Sequence, residues 1–368
     1  MKQTGFELRV ACACVVLGAI ACLRPSEERV RQDESVGRAE LFGLRVSVGE
    51  GHAAVRALSQ TRLGLWAAAP RLRVSLNWAV TPPDEFVVEV QNCMPGARLS
   101  VAPAVPFAAS GRDATGRCSY RIGPLGAERD LRLTIEPDGS ERASSFRFAV
   151  MSDVQEAIVN VQDIYRVLNQ QADIDFLLGA GDLTERGTGA ELERFERELE
   201  SSNVPYYTTL GNHELGESPT LYHEYYGRGS QSFEYRGVRF TLLDSASATV
   251  DPVVLDWLGD WLARGAGQLH VVAMHIPPLD PIGVRNGAFA NRNEAAMLLG
   301  RLAAANVDLT LYGHIHSYYH FENAGIPAHI SGGGGAIPER FDDIGRHFLV
   351  VDADPLAQRY QVSIVRVD

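Results

Sequence analysis

Five short apolar runs in this chain each stop at side chains able to bind a divalent cation. Phe148-Ala149-Val150-Met151 ends at Ser152-Asp153, and Phe176-Leu177-Leu178 runs through Gly179-Ala180-Gly181 to Asp182. Tyr207-Thr208-Thr209-Leu210 ends at Gly211-Asn212-His213-Glu214, Val271-Val272-Ala273-Met274 at His275, and Leu309-Thr310-Leu311-Tyr312 at Gly313-His314-Ile315-His316. A β-prone run that breaks at a polar residue delivers that residue to the end of a strand. Gly211 is expected to turn the backbone with positive φ, so that Asn212 and His213 leave the strand toward a common centre. One histidine on a strand reads as a packed core residue; five such strand ends in series read as one site.

The donors in these ends are carboxylate, amide and imidazole, without thiolate, which excludes zinc-finger and iron–sulfur chemistry. A structural zinc needs only four ligands. Asp153, Gln155, Asp182, Asn212, His275, His314 and His316 offer seven, enough for two ions that share one bridging carboxylate. Two ions about 3.5–4 Å apart can bind a phosphoryl oxygen, activate a water at neutral pH and neutralise the charge built up during in-line displacement. That is the chemistry of phosphoester hydrolysis.

Asp153-x-Gln155, Gly181-Asp182, Gly211-Asn212-His213-Glu214, His275 and Gly313-His314-x-His316 resemble, in order and spacing, the calcineurin-like metallophosphoesterase superfamily. The resemblance covers about residues 146–368. It implies an αββα sandwich in which Asp153, Gln155, Asp182 and His316 hold a first ion and Asp182, Asn212, His275 and His314 a second, with Asp182 as the bridge. His213 matches the family's non-ligand histidine, placed to stabilise the transition state or protonate the leaving group. One position departs from the pattern, because the family's first motif is Asp-x-His and this chain has Gln155. An amide oxygen is the harder and weaker donor, so the two divalent ions are expected to be manganese or iron(II), with magnesium or zinc as alternatives. Purple acid phosphatases also carry a preceding β-sandwich, but they require tyrosine where this chain has Glu185, so that subfamily is not expected.

The elements that position the ligands follow an α/β pattern from Phe146 onward. Apolar residues recur at helical spacing in Val154–Gln171, directly after the first ligand strand, and further helices are expected over Ala190–Ser201, Val253–Ala263 and Asn293–Ala305. Ligands in open α/β sheets gather at the carboxyl ends of strands, where the motifs lie. The glycine run Gly332–Gly335 lacks both a following Lys-Ser/Thr and G-x-G-x-x-G spacing, so it is expected to be a tight bend beneath the site and not a phosphate loop. His223, Arg285 and Asn286 lie on segments that could reach a substrate, and for His223 a packed side chain is the competing expectation.

Residues 41–145 differ. Leu72-Arg73-Val74-Ser75-Leu76 and Phe86-Val87-Val88-Glu89-Val90 alternate with period two between turn signals such as Pro82-Pro83 and Pro95-Gly96, which predicts an antiparallel β-sandwich-like domain. No chemistry is assigned to it. Residues 23–40 are charged and lack a hydrophobic period, and they read as a solvated linker. Residues 1–22 have a short charged start, an apolar run and small residues before Cys22. This fits a signal peptide, with Cys22 in a lipobox-like Ala19-Ile20-Ala21-Cys22; a membrane anchor of marginal length is the alternative. The expected location is therefore periplasmic or at the cell surface, with a lipid anchor through Cys22. An oxidising compartment then favours a bridge between Cys93 and Cys118.

With 34 basic and 46 acidic residues the net charge is −12, which disfavours attraction to nucleic acid, so the expected partner is a small phosphoester substrate. Lys2 is the only lysine, which excludes P-loop, pyridoxal and lysine-nucleophile chemistry in the body of the chain. The functional expectation is a metal-dependent phosphatase or phosphodiesterase. Its alternative is a surface-attached binding protein whose phosphoesterase fold is catalytically weak.

Overall fold

The computed structural model describes residues 25–283, 287–339 and 343–367; the apolar amino terminus with Cys22, and Arg285 and Asn286, lie outside them. From Phe146 two sheets stack face to face. In spatial order, one contains Tyr206–Thr209, Ile174–Ala180, Phe146–Met151, His347–Asp354 and Arg359–Arg366. The other contains Gln231–Tyr235, Val238–Leu243, Leu269–Met274, Leu309–Tyr312, Ile326–Ser331 and Tyr318–Asn323. Within each sheet the strands that carry the motifs run parallel to one another, so their carboxyl ends lie along one edge; Phe146–Met151 is antiparallel only to its other neighbour, His347–Asp354.

Parallel strands are stable only when both faces are covered, which explains their near-continuous apolar sequences. The inner faces close on an aromatic seam that includes Phe146, Phe148, Phe176, Tyr207, Phe233 and Phe240. Outside, Gln162–Leu168, Gly189–Leu199 and Leu221–Tyr226 cover the first sheet, while Pro252–Arg264 and Arg292–Ala304 cover the second. The fold is thus an α/β sandwich of two sheets flanked by helices. Helix starts follow the local chemistry: Thr188 and Glu191 form a reciprocal capping box, and Asp251 caps a helix that begins with Pro252. The helix expected over Val154–Gln171 is broken into a 3-10 turn, Gln155–Asn160, and an α-helix, Gln162–Leu168. The cause is local, since Val154 and Gln155 both donate their N–H groups to Asp182 O and Gln155 takes a φ of 47°.

Before Phe146, two five-stranded sheets form a β-sandwich, antiparallel except where Arg62–Ala67 pairs in parallel with Phe86–Gln91. Leu72, Val74, Leu76 and Trp78 point inward on one strand while Arg73, Ser75 and Asn77 point out. Cys93 and Cys118 are joined by a disulfide. This sandwich docks on the second one through Asn92, whose side chain accepts Tyr206 N–H and donates to Tyr206 O, both at 2.8 Å, extending the edge strand Tyr206–Thr209. Trp66 packs edge-on against Tyr226, 5.4 Å between centroids.

The expectation of a solvated linker over 23–40 is wrong for its described part. Pro25–Ser35 is a helix, and Arg29 and Asp33, one turn apart, are 1% and 2% exposed. Val30 joins the core under Pro252–Arg264. The helix lacks an apolar stripe because two of its buried positions are charged, and both charges are paired inside the later domain.

Candidate metal centre

All eight residues expected at the site come together. Asp182 is the hub: its Oδ1 accepts His213 N–H at 3.0 Å, while its Oδ2 lies 3.1 Å from His275 Nε2 and accepts Gln155 Nε2 at 2.8 Å. One carboxylate oxygen therefore faces two groups of donors. On one side Asp153 Oδ1 lies 3.5 Å from His316 Nε2, and Gln155 Nε2 lies 3.2 Å from the same nitrogen. On the other, Asn212 Oδ1 lies 3.1 Å from His275 Nε2, and the ring centroids of His275 and His314 are 5.2 Å apart. Donor atoms of Asp182, His275 and His314 all lie within 4.8 Å of one another.

The backbone aims these groups at some cost. Asp153, Gln155, Asp182 and His314 all have positive φ, a conformation that non-glycine residues adopt when their surroundings impose it. Gly211 does not share it, contrary to expectation. Its glycine is needed for approach, since a Cβ there would sit 2.1 Å from Asp182 Oδ1. The Gly332–Gly335 run is the tight bend expected of it: Gly334 N donates to Ser152 O at 2.8 Å, and a Cβ on Gly334 would lie 2.4 Å from that oxygen.

The arrangement fits divalent cations. Nδ1 of His275 is 2.8 Å from Ala180 O and Nδ1 of His316 is 2.7 Å from Ile337 O, so each donates there and turns Nε2 toward the centre, as a metal-ligating imidazole requires. Burial opposes ionisation of Asp153, yet the hydrogen bond from His316 and the charge of His275 hold its carboxyl below the usual range. Asp182 is likewise buried and likewise held low, chiefly by His275 and then by His213. Burial pushes His275 down, but Asp182 and Asp153 more than offset this and raise it to about 9. A cation that takes Nε2 must displace that proton.

His213 stands apart from the ligands in character. Its side chain is 29% exposed, Nδ1 lies 2.6 Å from Glu185 O, and Nε2 lies 3.9 Å from Asp182 Oδ2. Gln155 reaches the centre, with its amide nitrogen toward Asp182; a half-turn of the amide exchanges nitrogen for oxygen at that point. His223 is packed, with Nε2 3.1 Å from Asp33 Oδ1 and Nδ1 3.2 Å from Thr220 O, and it does not reach the site.

Sequence reading gave no role to Glu214. Its buried carboxylate accepts N–H groups from Asp182 and Thr184 at 3.0 Å and from Gly211 at 2.7 Å, plus the Thr184 hydroxyl at 2.9 Å. It ties two ligand loops together. Burial and the Asp182 charge raise its carboxyl to about 7, against the Gly211 and Thr184 donors, which pull it down. The available signal was its place directly after Asn212-His213.

Residues 146–318 match the profile of calcineurin-like phosphoesterases. The chain carries a calcineurin-like phosphoesterase domain. Enzymes of this class are metal-dependent hydrolases. A 3′,5′-cyclic-nucleotide phosphodiesterase of Nostoc sp. is 27% identical over 163 residues, 42% of this chain and 60% of the relative, so the chain spans about 60% of that protein. Among solved structures, PhoD aligns with 81% of this chain and 87% of its own at 12% identity and a TM-score of 0.48. A dimetal phosphatase from Danio rerio aligns with 61% of this chain and 100% of its own at 14% identity and a TM-score of 0.46. Among the described residues, no helix of the phosphoesterase domain or the sandwich is long and apolar enough to cross a membrane.

Proposed function

We propose that this protein hydrolyses small phosphoesters at a two-cation centre, with phosphodiesters as the first substrates to test. The observation that carries this is Asp182 Oδ2, which faces His275 on one side and Gln155 on the other, the position of a bridging carboxylate. Asp153, Gln155, Asp182 and His316 would hold one cation and Asp182, Asn212, His275 and His314 the other. Such cations supply polarisation of the phosphoryl oxygen and a nucleophilic water at neutral pH. The carboxylates fix and partly neutralise the centre, and the carbonyls of Ala180 and Ile337 fix the imidazole tautomers. His213 donates from Nδ1 to Glu185 O, which leaves Nε2 to carry a second proton to the departing oxygen. The Nostoc relative's name supports a diester, and cyclic nucleotides belong in the panel with p-nitrophenyl phosphate and its bis-ester. Absence of turnover with manganese, iron(II), magnesium or zinc on this panel would refute the proposal.

A second reading rests on Gln155, whose amide nitrogen points at Asp182. A catalytically weak domain on a surface-attached binding protein would hold fewer than one ion per chain after reconstitution, whereas the enzyme would hold two. For location we propose export and lipid attachment at Cys22. The Cys22 sequence context and the Cys93–Cys118 bridge support this. Partition of the full chain into the detergent phase, abolished by Cys22→Ser, is the expected result. Chain-wide acidity supports a small-molecule partner over nucleic acid.

A further inference from the structure

The helix Pro25–Ser35 grips two loops, and each leads to a ligand on the same side of the metal centre. Arg29 lays its guanidinium on Asp244, Nε to Oδ2 at 2.6 Å and Nη2 to Oδ1 at 3.2 Å, and reaches Ser247 Oγ at 3.1 Å. Asp244 follows the strand Val238–Leu243, and the hydroxyl of the next residue, Ser245, accepts the N–H of Ile276 at 2.8 Å. Ile276 adjoins His275. One turn along the helix, Asp33 accepts the N–H groups of Gly229 at 2.7 Å and Ser230 at 3.1 Å, with His223 Nε2 also 3.1 Å away. Gly229 O accepts the hydroxyl of Thr209 at 2.8 Å, three residues before Asn212. Ser230 Oγ accepts Asp244 N–H at 3.0 Å, which joins the two grips.

The other half of the centre is held differently. Gly334 N–H and Ala336 N–H bind the carbonyls of Ser152 and Asp153, and Ile337 O orients His316. None of these bonds involves residues 25–35. We propose that this helix is a brace for the Asn212–His275 half of the metal centre, with Arg29 and Asp33 as positioning residues. The inference rests on the two-cation reading. Its physical basis is that loss of either charge strands a buried carboxylate or two buried N–H groups, and the loops must move to satisfy them.

The test is titration of manganese into the metal-free full chain, with ions per chain measured by elemental analysis and folding by thermal melting. In the wild type two ions bind; fewer would overturn the phosphoesterase proposal itself. In Arg29→Gln and Asp33→Asn one ion binds as in the wild type and the other about 10-fold more weakly, the low end for perturbing groups behind a ligand. Arg29→Lys, which keeps a donor for Asp244, recovers part of that loss. Arg56→Gln removes an ion pair to Glu196 at the joint between the two domains and controls for general destabilisation, with both ions unaffected. If Arg29→Gln does not fold, Asp33→Asn and Arg29→Lys decide the matter. Wild-type affinity for both ions in folded Asp33→Asn, or equal weakening of both, overturns the brace.

Discussion

Replacing Gly211 by alanine adds one methyl group at the most crowded point of the metal centre. Its Cβ would stand 2.1 Å from Asp182 Oδ1 and 2.5 Å from Asp182 N, where real Cβ atoms essentially never come within 3.0 Å. The nearest atoms belong to the hub carboxylate and its own backbone, and that carboxylate is also held by His213 N–H, Gln155 and His275, so no flexible end can swing aside. Asp182 must therefore retreat by roughly 1 Å, a misplacement that costs on the order of 10²-fold in rate. Backbone strain does not contribute, because Gly211 has an ordinary φ. Gly259→Ala is the matched comparison: it lies on the exposed side of Pro252–Arg264 with nothing within 4 Å of the added methyl, and it should raise stability by about 1 kcal/mol. Initial rates and bound metal for both variants make the assay. Gly211→Ala with wild-type rate and wild-type metal content would refute the steric argument and the central place of Asp182.

Metal affinity should rise with pH. His275 is raised to about 9, above its unfolded value, so its proton stabilises the metal-free fold below about 6.5 and that contribution fades as pH climbs through 9. Manganese titrations from pH 6 to 9 should show up to about tenfold tighter binding per unit, and a flat profile would contradict the assignment of His275 as a ligand. His213→Ala should keep both ions and lose about 10²–10⁴-fold in rate, and loss of metal would show that His213 is a ligand after all. Glu214→Gln turns an amide group toward N–H donors and should lower stability by about 1–3 kcal/mol in chemical denaturation, with no change if the four hydrogen bonds are unimportant. Gln155→His should tighten one ion and shift preference toward zinc, whereas lower activity at unchanged preference would place Gln155 behind the ligands.

The parts legible in the sequence are those whose physics is local. Strand ends and the His314-x-His316 pair are written within a few residues, and the strands that carry them show as unbroken apolar runs. Arg29 and Asp33 could not be read, because their partners lie 215 and 196 residues away and a charged helix looks like a tether until those partners are known. The broken helix after Asp153 was hidden for a related reason. Its apolar spacing is helical, but the bonds to Asp182 O that bend it belong to another strand. At Gly211 the residue type was informative and the reason for it was not, since crowding by a carboxylate from a neighbouring strand leaves no trace in the local sequence.

The helix that closes on Asp244 also sets an order of events during synthesis. Residues 25–35 leave the ribosome first among the described elements, but the groups that pair with Arg29 and Asp33 follow about 200 residues later, some 10–40 s at ordinary elongation rates. Eleven residues without an apolar stripe do not hold a helix in water, so this segment waits as open chain while the first sandwich completes itself. Docking the helix is then a long-range closure, which cannot precede the arrival of Gly229, Ser230 and Asp244. Held by long-range bonds and not by its own propensity, this helix should open before the sheets, and amide exchange in residues 25–35 should run ahead of exchange in both sandwiches.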